Sequence, residues 1–225
     1  MGFYSVAVDG PAGSGKSTIA KLIAKELNIV YIDTGAMYRA VALYCIRKGI
    51  DTKDAQKVSS VLDEIKMDIK PENGGQRIYL SGEDVTDDVR SQKAGAGASD
   101  VAAIGDVRSK LVSIQRNMAK GMSVIMDGRD IGTNVLKDAP VKIYLNASAH
   151  QRALRRCGEL DKLGLKYDFE SVQNQIIQRD KNDMTRKLNP LRKADDAIEV
   201  DTTKMSIEEV KNTIINIIKE KVGDV

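Results

Sequence analysis

The sequence has no tryptophan, one histidine and two cysteines among 225 residues, and aromatic side chains make up only 4% of it. Each scarcity excludes something. Proteins that hold single-stranded nucleic acid stack its bases on aromatic side chains, and such platforms are poor here. The lone histidine, His150, gives Ser-His-Asp chemistry little to work with. At the head of an expected helix it reads as a capping or surface residue. Cys45 and Cys157 share no close spacing, which argues for free thiols in a reducing cytoplasm rather than a disulfide frame. No run approaches the roughly 20 apolar residues of a membrane span. The opening "MGFYSVAVDG" lacks the basic stretch, apolar run and cleavage site of a signal peptide. Gly2 is not expected to carry a myristoyl group, because the segment reads as a buried strand. The net charge is only +3, so the field of the whole molecule is weak.

Against that background two features are abundant. The first is a rhythm of short apolar runs and helical periods. "FYSVAV" (3–8), "IVYID" (29–33), "SVIMD" (123–127), "VKIYLN" (141–146) and "AIEVD" (197–201) read as buried parallel strands. Helices are expected at 17–27, where Ile19, Leu22, Ile23 and Leu27 share a face, and at 35–49, ending on Gly49. Further helices are expected at about 97–119, 148–162 and 168–182, with a polar turn around Gly164 between the last two. Ser206 and Glu209 form a capping box for a last helix reaching about Val222. Residues 66–91 break the rhythm: they alternate apolar with polar and hold an "NGG" turn, the mark of an antiparallel hairpin. The pattern gives an α/β fold, a parallel sheet with helices on both faces and a small antiparallel insertion. The second feature is arginine. Arg129, Arg152, Arg155, Arg156, Arg179, Arg186 and Arg192 crowd one stretch, and arginine grips phosphate with a planar fork.

The string Gly10-Pro11-Ala12-Gly13-Ser14-Gly15-Lys16-Ser17, followed by Thr18, satisfies G-x-x-x-x-G-K-[ST] between a strand and a helix. Glycines let successive N–H groups turn inward as an anion nest, and the following helix adds its positive end. Lys16 is placed to reach the outer phosphates and the Ser17 hydroxyl to ligate Mg²⁺. These nine residues are the expected ATP-binding loop. A GTPase would need N-K-x-D, which "DKND" (180–183) does not match, and "GGQ" (74–76) reads as a turn. A nucleic-acid-binding module on this loop gains slight support from the basic balance but lacks aromatic platforms. A small kinase acting on a phosphate acceptor fits better. Its nucleophile is already anionic, so it requires positive charge and alignment rather than a general base.

Four further strings sharpen this. "DTGAMYRA" (33–40), "DGRDIGTNV" (127–135), "DAPVKIYLNAS" (138–148) and "RDKNDMTRKLNPL" (179–191) together resemble the bacterial cytidylate kinase family, in order and through the whole chain. The resemblance implies a P-loop fold with a five-stranded parallel core, an antiparallel insertion and a short lid. The divisions it implies are core at 1–38, a monophosphate-binding insertion at 39–95, core at 96–150, lid at 151–167 and core at 168–225. It implies Mg²⁺-dependent transfer of the ATP γ-phosphate to CMP or dCMP by a cytoplasmic monomer, with no nucleic-acid or membrane partner. A related enzyme that also accepts UMP is the nearest alternative.

The same resemblance implies residue roles. Arg39 and Arg129 would contact the acceptor phosphate, with Thr34 beside them. Ser99, Arg108 and Asp130 would read cytosine, and Asp127 would orient the loop or a metal-bound water. Arg179 and Asp183 would hold the ribose hydroxyls, although four-residue spacing alone suggests a helix salt bridge. Arg186 would clamp phosphate, making Lys16, Arg129 and Arg186 the catalytic set. Arg152, Arg155 and Arg156 would flank the lid and swing over ATP, with Arg155 stacking on adenine.

Overall fold

The structure, a computed structural model, describes residues 2–72 and 75–223. Its first half runs β1 (Ser5–Asp9), α1 (Lys16–Glu26), β2 (Val30–Asp33), α2 (Thr34–Arg47), α3 (Ala55–Ser60), β3 (Met67–Glu72), β4 (Gly75–Leu80), β5 (Glu83–Asp84), α4 (Gln92–Val101) and α5 (Gly105–Met118). The second half runs β6 (Val124–Gly128), β7 (Val141–Asn146), α6 (Ala149–Lys162), α7 (Phe169–Thr185), β8 (Ile198–Asp201) and α8 (Ile207–Val222). Five strands form a parallel sheet in the order β2-β6-β1-β7-β8, and β3-β4-β5 form a separate antiparallel sheet. Both parts of the expected fold class are present. The "NGG" turn falls at 73–75, and residues 73 and 74 lie outside those described.

The inner parallel strands are apolar on both faces because both are covered, whereas the outer strand β8 leaves Glu199 and Asp201 exposed. On one face Val6, Val8, Ile143 and Leu145 pack against Ile19 and Ile23 of α1 and Ile214 and Ile218 of α8. On the other, Ala7, Ile32 and Met126 meet Val112 of α5 and Ile131 and Val135 of a single π-helical turn that follows β6. A distinct cluster joins α2, α4 and α5 to the small sheet through Val41, Leu43, Ile78, Leu80 and Val101. A small one, Ala153, Cys157 and Val172, joins α6 to α7.

Several local expectations change. Phe3 is 73% exposed and precedes β1, because pairing begins only where Ser5 finds Val124. The buried stripe of α1 is Ile19, Ala20, Ile23 and Ala24, and Leu22 falls on its far side. The period expected over 97–119 is two helices broken at 102–104, where Ile104 is extended (φ −85°, ψ 123°). The apolar period runs through the break because both helices serve one core. The insertion carries a third strand, β5, and α3 went unanticipated, since one buried residue, Val58, gives no period to read.

Candidate active site

The phosphate loop leaves β1 at Gly10, whose φ is +149°; a Cβ there would stand 2.0 Å from the Leu145 carbonyl oxygen. No side chain caps the start of α1, so its first N–H groups remain for an anion. Lys16 folds back over the loop, its Nζ donating to the Pro11 carbonyl at 2.6 Å and to Ser14 Oγ at 3.3 Å. The side chain is buried. Burial and then the nearby charge of Arg129 hold its pKa well below the ordinary range.

Beyond the loop lies one cleft of about 820 Å³, running along the C-terminal edge of the sheet, the usual ligand crevice of an open parallel sheet. The site residues expected from the sequence line it, except Gly10 and Pro11, which shape the loop behind it, and Arg152 and Arg156, which lie outside it. At its centre Ser17 Oγ donates to Asp127 Oδ2 at 2.8 Å, and Tyr31 donates to Oδ1 at 2.8 Å. The Thr34 hydroxyl donates to the Asp127 carbonyl at 2.8 Å. Burial, then the charge of Asp33, pushes the Asp127 pKa up to about 6.

The far end is an arginine cluster. Asp130, itself buried, pairs with Arg108 and, at 3.1 Å, with Arg186. Arg129 Nε meets Asp183 at 2.9 Å, and Arg39 meets Asp33 at 2.9 Å. Among the described residues Arg179 takes no carboxylate: the expected pairing with Asp183 four residues on is absent, because Arg129 holds that carboxylate from another element. The Nε atoms of Arg39, Arg108 and Arg179 are buried with no partner among the described residues. Burial, and then repulsion from Arg129, lowers the Arg179 pKa to about 10. Burial also lowers that of Arg186, with Arg108 adding to it. Five guanidiniums therefore face three carboxylates, leaving orphaned donors and uncompensated positive charge. Such an arrangement stands ready for an anion.

The three arginines expected to swing over ATP divide. Arg152 is buried and fully engaged, donating to the Ala147 carbonyl (2.9 Å), the Ala12 carbonyl (2.9 Å) and Asp180 (2.6 Å). It is a strut under the phosphate loop and has no freedom to swing. Arg155 lines the cleft, held by the Thr202 hydroxyl at 3.1 Å and carbonyl at 2.7 Å. Arg156 pairs with Glu159 at the surface, outside the cleft. His150 sits edge-on to Phe169, and Ser148 caps α6 in its place.

Sequence reasoning missed other participants. Asp9, the last residue of β1, accepts the Ile131 and Gly132 N–H groups at 2.8 and 2.7 Å and so pins the turn after Arg129 and Asp130. Burial raises its pKa to about 6, against the lowering effect of those two bonds. Asp9 and Asp33 each end an apolar strand on the cleft side, and that position is the signal that could have found them. Leu154, Met205, Ile207 and Val210 line the cleft beyond Arg155 as an apolar groove between α6 and α8.

A family model described as "Cytidylate kinase" matches residues 6–220. A cytidylate kinase of Caldicellulosiruptor saccharolyticus is 49% identical over 220 residues, which cover 98% of this chain and 97% of that one. One from Limosilactobacillus reuteri is 50% identical over 216 residues, covering 96% and 95%. Among solved structures, an uncharacterized protein from Eubacterium ventriosum is similar with a TM-score of 0.52 at 14% identity, covering 96% of this chain and 98% of its own, a likeness of fold. Matched over nearly its whole length, and sharing about half its residues with relatives of that name, the chain belongs to the cytidylate kinase family.

Proposed function

We propose that the protein transfers the γ-phosphate of ATP to CMP or dCMP, giving ADP and CDP or dCDP. The observation that carries this reading is the excess of guanidinium over carboxylate at the far end of a cleft whose near end is a phosphate loop. Two anions bound there are drawn together, and the chemistry requires nothing else of the protein than alignment, charge and exclusion of water. The acceptor oxygen is already anionic, so no general base is called for. The names of the relatives support cytidine as the acceptor nucleoside.

On this reading Gly10 to Thr18 bind ATP, and the triphosphate favours the charged form of Lys16. Arg39, Arg129 and Arg179 hold the acceptor phosphate, beside Thr34. Arg186 neutralises charge as it is transferred. Asp183 is left to accept from the ribose hydroxyls, and Arg179, whose Nε has no partner among the described residues, turns from the ribose role expected of it to the phosphate. Ser99, Arg108 and Asp130 supply acceptor oxygens for the exocyclic amino group of cytosine and a donor for its ring, the complement that uracil lacks. The apolar groove, with Arg155, receives the base of ATP. Residues 39–95 make the acceptor-side body and 151–167 the lid.

Magnesium fits the donor set. Ser17 Oγ and Asp127 Oδ2 are two hard oxygens in contact, and the raised Asp127 pKa marks a carboxylate short of positive charge. No group of three or more His, Cys, Asp or Glu gathers for a metal among the described residues, so phosphate oxygens and water would complete the shell. When bound, the ion neutralises the phosphate oxygens. Among the described residues no helix is long and apolar enough to cross a membrane. We place the protein in the cytoplasm, acting on small nucleotides as a monomer.

The test is a coupled ADP-release assay with CMP, dCMP, UMP, AMP, GMP and dTMP. CMP and dCMP are expected to be preferred. Preference for AMP or dTMP would overturn the assignment.

A further inference from the structure

We infer that Gln76 of the small sheet is a positioning residue for the acceptor end of the cleft, setting the Arg39 guanidinium through Asp33. The inference rests on the reading of Arg39 as an acceptor-phosphate ligand.

β2 is an outer strand of the parallel sheet, and Asp33 is its last residue. On its inner side β2 pairs with β6, Asp33 opposite Asp127. On its outer side no sixth strand covers it among the described residues. The Gln76 side-chain amide does instead what a neighbouring strand would do. Its Oε1 accepts the Asp33 N–H at 2.9 Å and its Nε2 donates to the Asp33 carbonyl at 3.1 Å. Strand alternation fixes which way Gln76 faces: Ile78 and Leu80, two and four residues on, are buried against α2. Arg77, on the opposite face, binds Glu72 at 2.6 Å and Asp84 at 2.8 Å instead.

Asp33 passes the constraint on. Its Oδ1 caps α2 by accepting the Ala36 N–H at 2.9 Å, and its Oδ2 holds Arg39 at 2.9 Å. There is little slack, since a Cβ on Gly35 would lie 3.2 Å from both Arg39 Nη1 and Asp33 Oδ1. Arg39 Nε is buried without a partner, so Asp33 grips one side of the guanidinium while the residue lines the cleft. A shift of the Asp33 peptide therefore shifts Arg39. The insertion thus has a direct polar handle on the acceptor site, and a single amide supplies it.

Gln76→Leu keeps most of the volume and removes the amide. Gln76→Glu keeps an acceptor for the Asp33 N–H but sets a carboxylate oxygen against the Asp33 carbonyl. Both are expected to raise the apparent KM for CMP about tenfold, or about 1.4 kcal/mol, the size of two modest hydrogen bonds. The KM for ATP is expected to stay unchanged. In an Arg39→Ala background Gln76→Leu should add nothing further, since both changes act through one guanidinium. An equal rise in both KM values, or a lowered urea midpoint with no change in the KM for CMP, would make Gln76 merely structural and overturn the proposal. If Arg39→Ala itself leaves the KM for CMP unchanged, the reading of Arg39 fails first and takes the proposal with it. If Arg39→Ala raises that KM and Gln76→Leu does not, only the proposal fails.

Discussion

At Asp127 the fold holds a carboxylate out of water between Ser17 and Tyr31. Its pKa of about 6 lies above the ordinary 3.8, so the folded chain binds the proton more readily than the unfolded one. Stability from this group is then present at low pH and is lost as pH rises from about 4 to about 6; Asp9, raised likewise to about 6, adds in the same sense. Asp127→Asn keeps the shape, accepts from Tyr31 and donates to Ser17, but carries no charge. It should raise the urea midpoint at pH 7 to 8, flatten the decline between pH 4 and 6, and lower turnover. A reduced midpoint at pH 7 would contradict this account of the site. Lys16 obeys the same logic with opposite charge. Lys16→Ala removes a buried ammonium whose desolvation is unfavourable, so thermal denaturation should show no loss of stability. The ADP-release rate should fall by about a hundredfold or more, the usual scale for removing one charge stabiliser. A large drop in melting temperature would show that Lys16 instead holds the loop together.

At the scale of elements, Arg152 connects three. It rises from α6, supports the phosphate loop at Ala12 and meets Asp180 on α7. Arg152→Ala would strand two carbonyls and a largely buried carboxylate, and breaking such a pair costs about 3 kcal/mol or more. Urea unfolding should register that loss, and a change under about 0.5 kcal/mol, the range of ordinary surface substitutions, would refute the strut. The elements themselves were largely legible. The five parallel strands wrote themselves as short apolar runs, although the outer strand β8 leaves Glu199 and Asp201 exposed, and the Ser206–Glu209 capping box stands as read. Length and period failed where neither was informative. α3 offers six residues and one buried side chain, and the break at 102–104 hides inside a continuing apolar period. For the site, the residue set was legible because it sits in contiguous motifs at strand ends. The pairings were not, because spacing along a helix cannot tell which of several nearby cations a carboxylate will meet. Asp183 takes Arg129, 54 residues distant, rather than Arg179. Burial of Lys16 was hidden for the same reason: it depends on how the loop closes over its own side chain.

For the whole molecule, the cleft lies where three packed bodies meet. The parallel sheet contributes the phosphate loop, Asp127 and the Arg129–Asp130 turn, while the cluster around α2, α4 and α5 contributes Arg39, Ser99 and Arg108. The α6–α7 pair contributes Arg155, Arg179 and Asp183. No body holds the full complement of charge alone, so bound anions should draw them together. The most direct measurement is a crystal structure with CMP and a non-hydrolysable ATP analogue bound together. The account predicts the CMP phosphate among Arg39, Arg129 and Arg179, with the buried Nε of Arg179 no longer unpartnered. A CMP phosphate lodged away from those guanidiniums, with Arg179 still without an anion, would contradict it.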